Sequence, residues 1–236
     1  MKTKKLKILL TNDDGIYASG ILSLYHELKK IADITVVSPL EEKSGTGHGI
    51  TFTSPLRIVE VKRNTDFKGY GINGTPADCV KIGIFEILKE KPDMIVSGIN
   101  HGPNIASLLF YSGTIAAAME GAIMGIPSIA VSLDTYNDAP NFKFAATFSR
   151  KIIKKIQKEG LPKNTFLNIN IPNVNPKKIK GCAITYQGPY AFQEYFIKKK
   201  DTRNQPYFWL GMKNKEKNNN PEKGSDMKAL AEQKIS

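Results

Sequence analysis

Cysteine is scarce: Cys79 and Cys182 are the only two in 236 residues, too few for a disulfide scaffold of this length. No apolar run approaches the ~18 residues that a membrane-spanning helix needs, so neither a transmembrane segment nor a membrane partner is expected. The basic start, MKTKKLKILL, reaches only the short run Ile8, Leu9, Leu10 before polar residues resume, which does not make a secretory signal. The expected setting is the reducing cytoplasm. Histidine is sparse as well, and His26, His48 and His101 have no zinc-ligand spacing. No internal repeat is visible. A dinucleotide fingerprint GxGxxG is missing, because NDDGIYASG follows the first apolar run. No nucleophile-plus-base set stands out either.

What is present begins with 41% hydrophobic residues, enough for a core and enough to exclude disorder as the main state. Against 22 Asp+Glu stand 34 Lys+Arg, a formal net charge of +12, which alone would point to nucleic acid. The excess is regional. Residues 1–140 hold 14 Lys+Arg and 15 Asp+Glu, net −1, whereas residues 141–236 hold 20 and 7, net +13. The basic region fits steering of phosphorylated small molecules, or an acidic subunit surface, as well as it fits nucleic acid.

Residues 6–11 (LKILLT) form a short apolar run closed by Asn12-Asp13-Asp14-Gly15, the pattern of a buried strand entering a loop. Ile21, Leu22, Leu24, Tyr25, Leu28 and Ile31 predict an amphipathic helix, and residues 34–38 (ITVVS) a second buried strand. Strand, helix and strand imply a right-handed parallel crossover. After the glycine-rich loop 44–49 (SGTGHG), residues 50–61 read as an extended segment or hairpin. Residues 77–90 predict a helix opened by Thr75-Pro76 and stopped by Pro92. A strand at 94–97, a small-residue helix at 112–124, a strand at 128–133, a basic helix at 142–158 and a strand at 166–171 follow. This alternation predicts an α/β fold with a mostly parallel sheet. Beyond Gly181, residues 182–186 and two runs around Tyr195 and Tyr207 look β-like, the latter two joined by the turn KKKDTRNQ as a hairpin. Residues 213–224 read as a mobile polar loop, and Ser225 as the cap of a short helix.

Ligands in open α/β sheets bind outside the carboxyl ends of the strands. Four polar clusters fall there: Asp13-Asp14, the Ser44 loop, Asn100, and Ser112-Gly113-Thr114 at a helix start. Adjacent carboxylates raise one another's pKa, and a hard divalent cation relieves that cost. Mg²⁺ takes one or two carboxylates, neutral oxygens and water; Ser44 and Asn100 offer the neutral oxygens. The plainer alternative is a turn in which Asp14 caps the helix. The glycine loop and the Ser112 helix start each resemble an anion site. Facing one metal, they suit phosphate ester hydrolysis or phosphoryl transfer. His48 and His101 either touch a ligand or pack, Cys79 reads as a buried thiol, and Trp209 belongs to hairpin packing or to a subunit interface. A receiver domain would want an Asp ending the MIVSGIN strand, and a haloacid-dehalogenase-type phosphatase would want DxD, so both fit less well than an activated water.

The strings LLTNDDGIYASGI, SPLEEKSGTGHGIT, NGTPADCVKIG, SGINHGPN and YSGTIAAAMEGAIMGIPSIAVSL resemble the SurE family of stationary-phase survival proteins, densely over residues 6–135. The resemblance implies a Rossmann-like three-layer α/β/α core over residues 1–180, with a β-hairpin and short helix over 181–236 used in oligomerisation. It implies hydrolysis of nucleoside 5′- and 3′-monophosphates, and of short polyphosphate as a side activity. One divalent ion per subunit, Mg²⁺ or Mn²⁺, would be held by Asp13, Asp14, Ser44 and Asn100, with Asp13 and Asp14 central to catalysis. Phosphate would be met by Gly45, Thr46, Asn104, Ser112, Gly113 and Thr114. The implied partners are nucleoside monophosphates and further copies of the chain, as a homodimer or homotetramer, with nucleic acid not expected. The competing class is a non-catalytic nucleotide- or RNA-binding protein using the basic C-terminal region. One departure stands out: the sequence stops at Ser236, before the family's closing ITPL, which bears on its C-terminal packing.

Overall fold

A computed structural model describes residues 5–63, 66–189, 192–214 and 221–236. Residues 215–220, within the stretch expected to be a mobile loop, lie outside the described residues.

The chain opens with β1 (Leu6–Thr11), α1 (Ser19–Leu28) and β2 (Ala32–Pro39), the expected crossover. An antiparallel pair follows, β3 (Ile58–Arg63) and β4 (Phe67–Ile72). Of the extended segment or hairpin expected over 50–61, only residues 58–61 fall in a strand, and β4 was not expected, Gly69 and Gly71 depressing its strand propensity. Next come α2 (Pro76–Ile82), β5 (Met94–His101), α3 (Gly113–Ile123), β6 (Ser128–Asp134), α4 (Lys143–Glu159) and β7 (Phe166–Pro172). The helix expected over 77–90 divides in two. After α2 the chain widens into a π-helical turn, Gly83–Leu88, and stops at Lys89 in a left-handed conformation. A side-chain pattern does not separate the two windings, because the same face stays apolar. Thr75 and Asp78 form a reciprocal capping box at the start of α2, with Pro76 at the first helical position.

The seven strands run in the order β3-β4-β2-β1-β5-β6-β7, parallel except for β3. Both faces of the sheet are covered, which explains why β1, β5 and β6 are nearly continuous apolar runs. Ile8 and Leu10 face α1 and α4, whereas Leu9 points the other way, to α2 and α3. The result is a three-layer α/β/α arrangement.

Two further strands, β8 (Phe192–Lys200) and β9 (Pro206–Asn214), make a separate antiparallel hairpin. Its turn is held by Asp201, whose carboxylate accepts from the Arg203 and Gln205 N–H groups at 2.9 and 2.8 Å. The β-like stretch 182–186 contributes only two isolated bridges, Cys182 to Ile235 and Tyr186 to Ser225. Ser225 caps α5 (Asp226–Ala231), after which Ile235 is buried and Ser236 pairs with Asn170 of β7. Among the described residues no helix is long and apolar enough to cross a membrane.

Candidate active site

The four polar clusters converge. Asp13 and Asp14 leave β1, Asn100 ends β5 and Ser112 caps α3, all at the carboxyl edge of the sheet. The Asn-Asp-Asp-Gly turn is fixed from within. Asn12 is fully buried, accepts from the Ser38 hydroxyl on β2 and donates to the Gly15 carbonyl at 3.0 Å. Asp14 does not cap the following helix; Ala18 occupies that place with no side-chain bond. The turn is thus not explained by capping.

Asp13 is 3% exposed and accepts a hydrogen bond from the Thr114 hydroxyl. Burial pushes its carboxyl above the ordinary carboxylate range, opposed by the hydroxyl and backbone N–H of Thr114. Asp14 is pushed from 3.8 to about 7, first by burial and then by the Asp13 charge, with the His101 backbone N–H working the other way. Among the described residues neither carboxylate has an ion-pair partner, and a third carboxylate, Glu42, raises both.

Asn100 donates through its amide nitrogen to the Gly102 carbonyl at 2.8 Å, which turns Oδ1 toward the site. That oxygen lies 3.3 Å from the Thr114 hydroxyl, whose single proton already serves Asp13. The register of β5 against β6 shifts between Gly98 and Asn100, a bulge that re-aims the strand end. Gly98 permits this with φ of +131°, a conformation where a Cβ would strike the Val131 carbonyl oxygen at 2.3 Å. Gly113 allows a second close approach, since a Cβ there would lie 2.8 Å from that of Asp13.

Asp13, Ser44, Gly45, Asn100, Asn104 and Ser112 line one cavity of about 490 Å³, completed by Leu108 and Tyr111 and by Glu194, Phe196 and Leu210 of the hairpin. Asp14 lines a neighbouring cavity with Ser44, Glu42 and His101. The remaining expected residues sit differently. Thr46 gives its hydroxyl to the Lys43 carbonyl at 2.8 Å, and Gly113 and Thr114 pack on Asp13. At the α3 start, the Ser112 hydroxyl accepts from the Ile115 N–H at 3.1 Å. Ser44 donates to Glu42 at 2.7 Å.

Several participants were not singled out from the sequence. Glu42 is one, visible only as part of an acidic pair before the glycine loop. Another is the amide network that seats Asn104. Its N–H reaches Asn170 Oδ1 at 2.7 Å, its carbonyl accepts from Asn168 and Asn170, and its side chain donates to Ser132 at 2.9 Å. Polar residues alternating in the buried strand FLNINI were the available signal. The third is Asp226 at the start of α5, which accepts from the Ala106 N–H at 2.8 Å and so holds the 3₁₀ turn Ala106–Tyr111 along the cavity wall. Of the histidines, His48 turns to Glu120 at 2.8 Å, while His101 lines both cavities. Cys79 is buried, and burial holds its thiol well above the usual range; Cys182 is exposed. Trp209 is exposed rather than packed within the chain.

Known proteins resemble this chain in sequence and fold. A family model described as Survival protein SurE matches residues 8–194. A 5′-nucleotidase SurE of Chlorobium phaeobacteroides is 50% identical over 207 residues, covering 88% of this chain and 80% of its own. One from Syntrophomonas wolfei is 47% identical over 206 residues, covering 87% and 78%. The crystal structure of SurE from Aquifex aeolicus aligns with a TM-score of 0.82 at 42% identity, over 98% of this chain and 91% of that one. The sheet order, the cluster at its carboxyl edge and these matches over most of the length agree: this chain belongs to the SurE family.

Proposed function

We propose that the chain is a 5′-nucleotidase that hydrolyses nucleoside monophosphates with a divalent cation held by Asp13, Asp14, Ser44 and Asn100. The observation that carries the metal site is a pair of adjacent carboxylates, Asp13 buried and Asp14 largely so, with no ion-pair partner among the described residues, beside a cavity of nucleotide size. The donor set fits such an ion. Among the described residues no three His, Cys, Asp or Glu side chains group as a metal cluster, so the site offers two carboxylates and neutral oxygens. Hard cations such as Mg²⁺ and Mn²⁺, one per subunit, match that set better than zinc. When bound, the ion polarises a phosphoryl oxygen and lowers the pKa of a water.

The protein groups have distinct tasks in this reading. Thr114 orients Asp13, the His101 N–H steadies Asp14, and Glu42 holds the Ser44 hydroxyl. Gly45, Asn104 and Ser112, which line the cavity, receive phosphoryl oxygens. Leu108, Tyr111, Phe196 and Leu210 give the nucleoside an apolar wall that excludes water. Residues 1–180 then form the catalytic core. Residues 181–236 add a wall and, through exposed Ile197, Phe208 and Trp209, a contact for a dimer or tetramer. A cytoplasmic setting suits two unpaired thiols.

The test is phosphate release from a panel of nucleoside monophosphates with Mn²⁺. Activity should vanish with a chelator, and Asp13→Asn should lower kcat on the order of 100-fold or more. Full activity in Asp13→Asn would sink the metal assignment. Salt-sensitive RNA binding without phosphate release would favour a binding protein instead.

A further inference from the structure

Glu120 stands on α3 two turns below the active site, 4% exposed, and its carboxylate bridges two side chains, His48 and Lys81. One oxygen meets His48 Nε2 at 2.8 Å and the other accepts from Lys81 of α2 at 2.6 Å. His48 lies four residues beyond Ser44 in the glycine loop and lines neither cavity of the site. Facing a carboxylate, its Nε2 is the donor, and that bond forms whether the imidazole is neutral or charged.

The loop's other side-chain bonds stay local. Ser44 reaches Glu42, two positions away, and Thr46 reaches the Lys43 carbonyl, three away. Backbone groups tie it at Gly47, whose N–H meets the Tyr111 carbonyl at 2.9 Å, and at Gly49, whose carbonyl accepts from Thr75 at 2.7 Å. Among the described residues of the 44–49 loop, only His48 sends a side chain to another element. Its target is the same helix whose first turn carries Thr114, the hydroxyl that orients Asp13. One rigid helix therefore sets both sides of the proposed metal site: Asp13 through Thr114, and the Ser44 loop through Glu120 and His48.

We infer that Glu120 and His48 are positioning residues that fix the Ser44 loop for cation binding, an inference that rests on the metal-site reading above. Lys81 plays a different part. It keeps the buried Glu120 carboxylate paired when His48 is removed, so truncating His48 does not strand a buried charge. Outer partners of metal ligands typically matter by 10–100-fold in affinity.

The experiment is calorimetric Mn²⁺ binding to the substrate-free full chain, with Tm, kcat and KM measured beside it. His48→Ala should raise the Mn²⁺ Kd roughly tenfold. His48→Gln, whose amide still donates at similar reach, should restore most of it. At saturating Mn²⁺, kcat and KM should stay near wild type. Lys81→Met is the control for general loosening, and should lower Tm while leaving Kd alone. A His48→Ala Kd within twofold of wild type overturns the inference, as does a Lys81→Met shift of equal size. A KM rise at saturating Mn²⁺ with unchanged Kd would place His48 on the substrate and overturn it too. Asp13→Asn in the same calorimeter separates the two levels. If it abolishes Mn²⁺ binding while His48→Ala does nothing, only this inference falls; if it binds normally, the metal site itself falls.

Discussion

Asp13 at the end of β1 is 3% exposed and Phe196 on β8 is 69% exposed, yet both line the same cavity. The two walls are built on opposite principles. The sheet edge belongs to the near-neutral part of the sequence, gathers acidic and motif residues, and places its polar groups by backbone and buried hydrogen bonds. The hairpin belongs to the strongly basic part of the sequence and offers Phe196 and Leu210, whose apolar surface is shared with solvent, beside Glu194. What the difference teaches is a division of labour. On the proposed reading the cation is held where the chain is fixed by the core, and the nucleoside meets side chains that little else holds. Each wall can be perturbed separately.

The largest effect is expected from pH acting on the sheet edge alone. With Asp14 raised to about 7, a proton must leave before a cation binds, so affinity falls as pH drops below that value. Between pH 8 and pH 5 the Mn²⁺ Kd should rise by about 100-fold, read by calorimetry. The sign for stability runs opposite. A raised folded-state value favours the metal-free fold below the ordinary 3.8 and withdraws that contribution as pH climbs toward 7. The Tm gain on adding Mn²⁺ should therefore grow from pH 5 to pH 8. A flat response would mean that the carboxylate pair does not govern the ion.

A middle-sized effect belongs to the hairpin. Phe196→Ala should raise KM for a nucleoside monophosphate about tenfold, the worth of roughly 1.4 kcal/mol of lost apolar contact. Saturated kcat and the Mn²⁺ Kd should hold within twofold. A change in the metal affinity instead would erase the division between the walls. The smallest effect is long-range. If the C-terminal excess of +13 steers phosphorylated substrates, raising ionic strength from about 0.05 to 0.3 M should lift KM about two- to threefold. A salt-independent KM would confine the basic region to other surfaces.

The parts legible from sequence were those carried by local pattern. β1, α1, β2, β5, β6 and β7 followed from apolar runs and their closing polar residues, and the carboxylate pair followed from its place at a strand end. β4 escaped because two glycines diluted it. In the site, the obscure participants are joined over long separations. His48 and Glu120 stand 72 positions apart, and Asn104 and Asn170 stand 66 apart. Nothing local in GHGI or AMEGA announces such a bond, because both partners are ordinary residues until the sheet brings them together. Thr46 and Thr114 show the reverse: their motifs were evident, but which atom each hydroxyl serves is decided by packing.

The bond from the Ala106 N–H to Asp226 spans 120 positions and steadies the turn beside Leu108 and Tyr111. During synthesis, which runs from the N-terminus, every proposed metal ligand has been made once Asn100 is joined. The carboxylate that steadies the proposed nucleoside wall is made far later. On the proposed reading the cation site, whose ligands are set by Thr114 and Glu120, is complete in sequence long before the nucleoside wall is, so a chain caught mid-synthesis would lack the wall rather than the ligands.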